Sequence, residues 1–442
     1  MKAEDVLDCI GQIDDDMIAE ANGAPERIRG ARPPWLRWAA AAVACLLVAV
    51  PFALDRAQPT EPVTDADILP TEAVDTSRLP MLTVDTDFGT YGFEGYMAYD
   101  IGELQNGNPW TADNTLTTMP VYRNPHIYDS AGAPVTGLSP EEMRTEAETV
   151  AALFNMDIIN IYTEPSAEQL AKIIEKLGPD ASEEDLRQNT NVYRATAECN
   201  GATVQIEKDG RVTLRLTAET AGLAHDIGKL AAYNHFSVVF QEALPMPDGS
   251  LLSLNDAAYK QALAMTQQLF AAHGAFTCFT SPGYDLPADY TYSGDRHRLH
   301  TAVFENTGSL TERIRNYHFH RLSFIGSVLG GLYAIQYDNT DLSQKIGDYP
   351  IITADEARTL LLDGCYITSV PEAMPGESYI AHAELTYRTS RLDSIMMPYY
   401  NFLVEIPSMA RENGLITFGA YYVPAVRGDF LKNIPTWDGR FN

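Results

Sequence analysis

The chain contains a run of seventeen residues without a charge, Trp38–Leu54, and this run limits the possible folds more than any other feature. As an α-helix it would be about 26 Å long, close to the lower limit for crossing the hydrocarbon core of a membrane. Tryptophan commonly lies at the level of the lipid headgroups, and Trp35 and Trp38 stand at the start of the run. The sequence therefore predicts one transmembrane helix over residues 38–54.

The charges on either side of this run predict its orientation. Four arginines precede it, whereas acidic residues follow it, offset only by Arg56 as far as residue 77. Cytoplasmic flanks of membrane helices collect lysine and arginine. We therefore expect residues 1–37 to be cytoplasmic and the chain beyond Leu54 to be extracytoplasmic, in a type II single-pass protein of the cell membrane.

Three other interpretations of the apolar run are open. A cleaved signal peptide has a short basic start, whereas 37 residues precede this run, and residues 55–57 form a poor cleavage site. A lipid attached to Cys45 would leave an apolar stretch of about seven residues before it, which is too short. A buried helix of a globular domain would not require the charge asymmetry or the linker that follows.

Residues 3–22 have the pattern of an amphipathic, acidic helix. Its apolar residues recur every three or four positions, and acidic residues occupy the other side. A helix of this length is marginal in water, so we expect its apolar face to bind a partner, such as a sigma-factor-system protein or a membrane kinase. The residues expected to dock are Val6, Leu7, Ile10, Ile13 and Met17.

The linker composition, the net charge and the cysteine spacing limit which partners and which chemistry are possible. Residues 55–80 are rich in Pro, Thr, Asp and Glu, which predicts an extended linker. The formal net charge of −29 argues against nucleic acid as a partner. None of the five cysteines has CxxC spacing, so they do not form the framework of a disulfide-rich domain.

Beyond the linker we expect an α+β region of two modules, residues 81–245 and 246–442, each with a helix packed on an antiparallel sheet. Capping boxes start a helix in each module, at Ser139–Glu142 and at Thr353–Glu356. Three strands follow each of these helices, so the order of elements repeats over about 139–217 and 353–426. This repetition indicates a possible internal duplication.

The strands of the first module show the clearest turn signals. They cover 192–199, 202–208 and 211–217, and the dipeptides Asn200-Gly201 and Asp209-Gly210 join them. Such dipeptides suit type I′ turns, in which both central residues have positive φ. The sequence therefore predicts an antiparallel meander with two tight turns.

A first candidate for metal chemistry is the adjacent pair His225 and Asp226. The stretch 224–230 resembles the metal-binding motif of HD-family phosphohydrolases, and an imidazole next to a carboxylate could hold a divalent ion. That fold also needs an upstream histidine on a packed helix. Here the nearest one is His126, and strands are predicted between it and His225.

A second candidate is the histidine cluster His297–His320, which contains His297, His300, His318 and His320. His318 and His320 are two apart, so a strand would place both on one face. A hairpin predicted about residues 306–309 would bring His300 towards them, as a zinc site requires. No motif completes either ligand set, so we expect no metal, no cofactor and no catalytic residue.

Parts of the chain resemble the helix-then-sheet modules of PepSY-type extracytoplasmic domains. The layout is similar to single-span regulatory proteins of Gram-positive bacteria (Firmicutes), including the YycH/YycI class, which modulate a membrane histidine kinase. Residues 1–21 resemble the cytoplasmic starts of anti-sigma-like membrane proteins. The pieces that carry the PepSY resemblance are Leu138–Ala151, Val192–Leu216, Tyr349–Gly364 and Met397–Val426.

The resemblance implies a non-enzymatic sensor or regulatory protein, anchored in the membrane, that binds a protein, a peptide or an envelope component and modulates a signalling partner. Two alternatives from other classes stay open. One is a metal-dependent hydrolase that uses His225 and Asp226 or the His297–His320 cluster. The other is a structural protein of the envelope.

Overall fold

The computed structural model describes residues 78–85, 96–99, 107–129, 132–178, 182, 190–246, 256–273, 279–286, 288–289, 298–327, 331–368, 370–389, 391–409, 416–437 and 439. All of them belong to one compact unit, Thr76–Asn442. The expected cytoplasmic tail, the expected transmembrane helix and the linker as far as residue 77 lie outside the described residues. Across the described ranges, every helix is too short or too polar to span a bilayer.

The expected α+β class is confirmed. In the described ranges the α-helices are Pro140–Leu153 (α1), Ala167–Leu177 (α2), Asp256–His273 (α3), Leu310–Phe319 (α4) and Ala354–Leu362 (α5). The strands are Tyr96–Tyr99 (β1), Thr118–Arg123 (β2), Ile158–Glu164 (β3), Arg194–Cys199 (β4), Ala202–Glu207 (β5), Val212–Leu216 (β6), His235–Leu244 (β7), Pro282–Asp285 (β8), Ala288–Asp289 (β9), Arg298–Glu305 (β10), His320–Gly326 (β11), Leu332–Asn339 (β12), Lys345–Pro350 (β13), Ile380–Tyr387 (β14), Ile395–Met396 (β15), Pro398–Glu405 (β16) and Ile416–Pro424 (β17).

Capping boxes start four of these helices. In α1 the Ser139 hydroxyl accepts from the backbone N–H of Glu142, whose carboxylate accepts from the Ser139 N–H in return. The same exchange starts α5 at Thr353. Each box satisfies two N–H groups that the first helical turn leaves without partners. The two helix starts predicted from capping boxes are therefore confirmed.

The hairpin predicted about residues 306–309 is wrong. Helix α4 lies between the two strands, and a capping box of Ser309 and Glu312 starts it. Ile314 and Tyr317 are three residues apart and both are buried, as the apolar face of a helix requires. Strand β11 begins only at His320 and then pairs antiparallel with β10.

A ten-stranded sheet organises the larger part of the described chain, in the order β3-β4-β5-β6-β7-β12-β11-β10-β8, with β9 also paired to β10. All neighbours in it are antiparallel except β6 and β7, which a 3-10 helix, Ala221–Leu230, connects. Strand β7 ends at residue 244 and pairs with β12, so the two expected modules share this sheet.

The meander of the first module is confirmed, but its turns differ from the predicted type. Strands β4, β5 and β6 pair in sequence, with Cys199 opposite Ala202. Gly201 and Gly210 have φ of 72° and 84°, whereas Asn155 is the only described non-glycine residue with positive φ. Asn200 and Asp209 therefore do not have the positive φ that a type I′ turn requires.

One face of this sheet forms the largest apolar core. Helix α1 packs on β4 and β5, and the 3-10 helix and α3 cover the strands beyond. The apolar side of α1 and its C-cap residue contribute five buried residues to this core. They are Met143, Ala147, Val150, Ala151 and Phe154.

A four-stranded sheet, β1-β17-β16-β14, and a three-stranded sheet, β13-β2-β15, form the rest. Helix α5 packs against β17, and β14, β16 and β17 pair antiparallel in that order across the sheet. The first and last described segments are also joined. Leu82 lies parallel to Leu431, and its backbone exchanges hydrogen bonds of 2.8 Å with Phe430 and Lys432. The Asn433 side chain adds two bonds to the backbone of Val84.

Candidate functional site

The histidines singled out in the sequence do not converge. Of the His297–His320 cluster, His297 lies outside the described residues and His300 lies on β10. His318 lies in the last turn of helix α4, where its Nε2 is 3.2 Å from the Thr386 hydroxyl, and His320 begins β11, where its Nε2 is 3.1 Å from the Tyr337 hydroxyl. The expectation that His318 and His320 share a strand face is wrong, because α4 ends between them.

The pair His225 and Asp226 lies on the 3-10 helix between β6 and β7. The Asp226 carboxylate is 2.8 Å from the Lys229 ammonium group, and the His225 ring stacks on that of His273. Over the described ranges, no three side chains of His, Cys, Asp or Glu come together as a metal site. The geometry therefore offers no support for the HD-type hydrolase.

The burial of His318 should make the free energy of unfolding depend on pH. Burial, with the nearby Arg321 charge, lowers its pKa from 6.5 to about 3. Below pH 6.5 the unfolded chain binds a proton here that the folded chain does not, so stability is lost as the pH falls. We expect a loss of about 1 to 2 kcal/mol between pH 7 and pH 5 in urea unfolding. The His318→Gln variant should lack this part of the slope, and His126→Gln should keep it.

A cleft of about 370 Å³ lies where helix α1 passes into strand β3. Phe154, Met156 and Leu223 form its apolar part, and Asn200 contributes from the turn between β4 and β5. Ligand pockets of proteins usually measure a few hundred Å³ and combine apolar walls with a few polar groups. The cleft matches that description in volume and lining.

The charges of the cleft favour a cationic ligand. Its ionisable lining groups are the carboxylates Asp157 and Glu219. The carbonyl end of α1, which carries partial negative charge, also ends here, at the C-cap Phe154. Lys229 lies 5.3 Å from the centre of the Phe154 ring, but it forms an ion pair with Asp226. A basic side chain therefore suits this cleft better than an acidic one.

Strand β3, which begins beside the cleft, is an edge of the ten-stranded sheet. Within the described residues it pairs only with β4, and Ile159 is 67% exposed. On this edge the Ile161 carbonyl accepts a hydrogen bond of 3.0 Å from Arg144. An edge strand offers unpaired N–H and C=O groups to another chain, and β3 adds an exposed apolar side chain to them.

Helix α2 follows β3 and presents a second apolar surface. Its apolar residues Leu170, Ile173, Ile174 and Leu177 are spaced for one helical face, yet no residue of α2 is buried. None of them belongs to the three apolar cores of the described chain, and Ile174 is 50% exposed. We call the cleft, strand β3 and helix α2 together the β3 surface.

Charged residues on the neighbouring strands fix the far end of β3. Arg194 on β4 lies 3.3 Å from the Glu164 carboxylate at the end of β3 and 3.7 Å from that of Glu207 on β5. Arg391 also contacts Glu207, at 3.0 Å. This alternation of charge across three strands stabilises the position of β3, whose other side pairs with no described strand.

Sequence reasoning did not identify the β3 surface, although its parts were visible. Helix α2 begins with a capping box of Ser166 and Gln169, a signal that the sequence itself carries. An amphipathic helix is normally expected to bury its apolar face, so nothing marked α2 as exposed. No family model, no curated protein and no solved structure matches the chain. The resemblance to PepSY-type and YycH/YycI-type proteins stays a prediction.

Proposed function

We propose that the protein is a non-enzymatic, membrane-anchored regulator whose extracytoplasmic part binds an extended peptide segment of an envelope protein at the β3 surface. The segment adds to β3 as a further strand, and one of its basic side chains enters the cleft. A single transmembrane helix over residues 38–54 and the tail 1–37 connect this binding event to a membrane kinase or a sigma-factor-system protein.

The edge of β3 that pairs with no described strand is the observation that carries this proposal. An added strand would form main-chain hydrogen bonds with β3, which give affinity without a particular sequence. Alternate side chains of the added strand would point to the same side. Ile159 and the apolar residues of α2 can select apolar side chains there, as in other complexes formed by strand addition.

The cleft supports the choice of a basic residue in the peptide. Asp157 immediately precedes β3, so a segment that pairs along β3 passes the cleft at one end. A lysine or arginine stem can lie against Phe154 and Met156 while its charged group reaches the two carboxylates. Each exposed ion pair adds little energy, typically below about 1 kcal/mol, so the charges contribute orientation more than affinity.

A selection from random displayed peptides tests the mode of binding. Peptides are selected on the full-length protein and counter-selected on the Ile159→Lys variant. We expect alternating apolar residues with a lysine or arginine near one end. Two peptides are then compared, one methylated at the backbone nitrogens of its odd positions and one at those of its even positions. One of them should lose affinity at least tenfold and the other little, because only one set of N–H groups faces β3. An equal loss of affinity in both methylated peptides would rule out strand addition.

Matched substitutions locate the surface. Ile159→Lys and Ile174→Lys should each weaken binding of a selected peptide about tenfold or more, because they place a charge on the edge and on α2. The control Ile127→Lys changes an isoleucine that is 62% exposed, and Ile434→Lys one that is 49% exposed, and neither residue belongs to the β3 surface as defined here. Binding that falls equally in the controls, or in none of the four variants, contradicts the proposal.

A further inference from the structure

Arg144 is a basic residue of helix α1 whose side chain reaches strand β3. It follows the buried residue Met143 and is itself half-buried. Its Nη2 atom donates a hydrogen bond of 3.0 Å to the Ile161 carbonyl. The proposed binding of a peptide uses the backbone of β3 but gives Arg144 no role.

This hydrogen bond indicates which residues of β3 an added strand would use. In an antiparallel pair, each residue turns its N–H and its C=O together, either to the partner strand or to the opposite side. The bond from a helix side chain indicates that Ile161 faces away from β4. Its N–H and C=O are therefore the groups that a further strand would pair with, and Arg144 occupies the carbonyl.

The Arg144 guanidinium has no carboxylate partner in the described part of the chain. Glu141 and Glu148 lie about one helical turn away on α1, but both are exposed and neither forms an ion pair with it. A guanidinium group has five N–H donors and can bind a carboxylate through two parallel hydrogen bonds. The single bond to the Ile161 carbonyl uses a small part of this capacity.

The cleft and Arg144 lie along one line beside β3. Helix α1 packs on β3, and the cleft lies where this helix passes into the strand. Asp157 in the cleft wall and Ile161 are four residues apart, which is about 13 Å along a strand. Side chains four residues apart in an extended segment also point to the same side. One segment can therefore present one side chain to the cleft and another to Arg144.

We propose that Arg144 makes the β3 surface specific for a segment that has an acidic residue four positions from the basic residue in the cleft. A backbone N–H of the added strand takes the Ile161 carbonyl, and the released guanidinium binds the carboxylate of the segment. The spacing of the two charges then sets the register of the added strand. The role of Arg144 rests on the proposed function, because the ligand and the surface are the same.

Short synthetic peptides and the full-length protein test the spacing. Each peptide alternates valine and threonine and carries one lysine and one glutamate four positions apart, in either order, because the segment can run in both directions. In the preferred order, replacing glutamate by glutamine should lower affinity about threefold to fivefold, as expected for one ion pair. Moving the glutamate by one position should lower affinity as much, because its side chain then points to the other side.

Substitution of Arg144 identifies the partner of that glutamate. Arg144→Met keeps an apolar stem and should bind the glutamate and glutamine peptides equally. Arg144→Glu should reverse the preference and bind best a peptide with lysine in place of the glutamate. The control Arg215→Met changes an exposed arginine on β6 and should keep the preference of the wild type. A preference for glutamate that persists in both Arg144 variants overturns the proposal.

Failure of the role of Arg144 and failure of the proposed function give different results. If the wild type binds these peptides with the expected effect of backbone methylation, but binds glutamate and glutamine peptides equally, strand addition stands and the role of Arg144 is wrong. If no peptide binds, both are wrong.

Discussion

The Asp285→Ala variant is expected to unfold with a free energy about 3 to 5 kcal/mol lower than the wild type. Asp285 ends strand β8 and is 3% exposed. Its carboxylate accepts hydrogen bonds from the Gly107 N–H at 2.9 Å, the Tyr317 hydroxyl at 3.1 Å and the Arg321 guanidinium at 2.9 Å. Alanine would leave the Arg321 charge and two donors without this acceptor in a site with little water.

Urea unfolding followed by tryptophan fluorescence measures this loss as a lower midpoint at an unchanged slope. The control Asp341→Ala removes an exposed carboxylate that bonds to nearby Ser343, and it should cost less than about 1 kcal/mol. The double variant Asp285→Ala/Arg321→Met should lose less free energy of unfolding than the sum of the losses of the two single variants, because it also removes the buried charge. Strict additivity would contradict this explanation.

The Gly137→Ala variant is expected to lose about 2 to 5 kcal/mol, from backbone strain and overpacking together. Gly137 has φ of 136°, and a Cβ atom there would lie 1.9 Å from the Lys208 carbonyl oxygen. The neighbouring Leu138 N–H donates to that same oxygen at 2.7 Å. The added methyl group would push the start of α1 away from the turn between β5 and β6.

The Gly210→Ala variant separates the cost of backbone strain from the cost of overpacking. Gly210 also has positive φ, 84°, but a Cβ atom there would meet nothing within 4 Å. Only the conformational term applies, so this variant should lose about 1 kcal/mol. The comparison is made by urea unfolding of both variants under one condition. If both lose the same free energy, the close approach to Lys208 contributes nothing and the prediction fails.

Local signals in the sequence predicted local structure well. The boxes at Ser139 and Thr353 fixed two helix starts because all their partners lie within four residues. The same signal at Ser309 and Glu312 identifies α4, but this stretch was interpreted as a hairpin about residues 306–309. That error also produced the wrong relation between His318 and His320.

Long-range pairing could not be predicted from the pattern. The parallel pair β6 and β7 and the antiparallel pair β7 and β12 join residues on both sides of 245, and no turn signal marks either contact. The β3 surface was missed for a related reason. Periodicity shows that Ile174 lies on an apolar face, but not whether another part of the chain covers that face.

The parallel contact between Leu82 and Leu431 has a mechanical consequence if the protein is tethered as proposed. Tension along the linker would enter the folded part near residue 78 and reach this contact within a few residues. Because the two segments run in the same direction, a pull along the first loads their hydrogen bonds in shear, so the bonds resist together and do not open one at a time. The C-terminal segment thus shares the force applied at the tether.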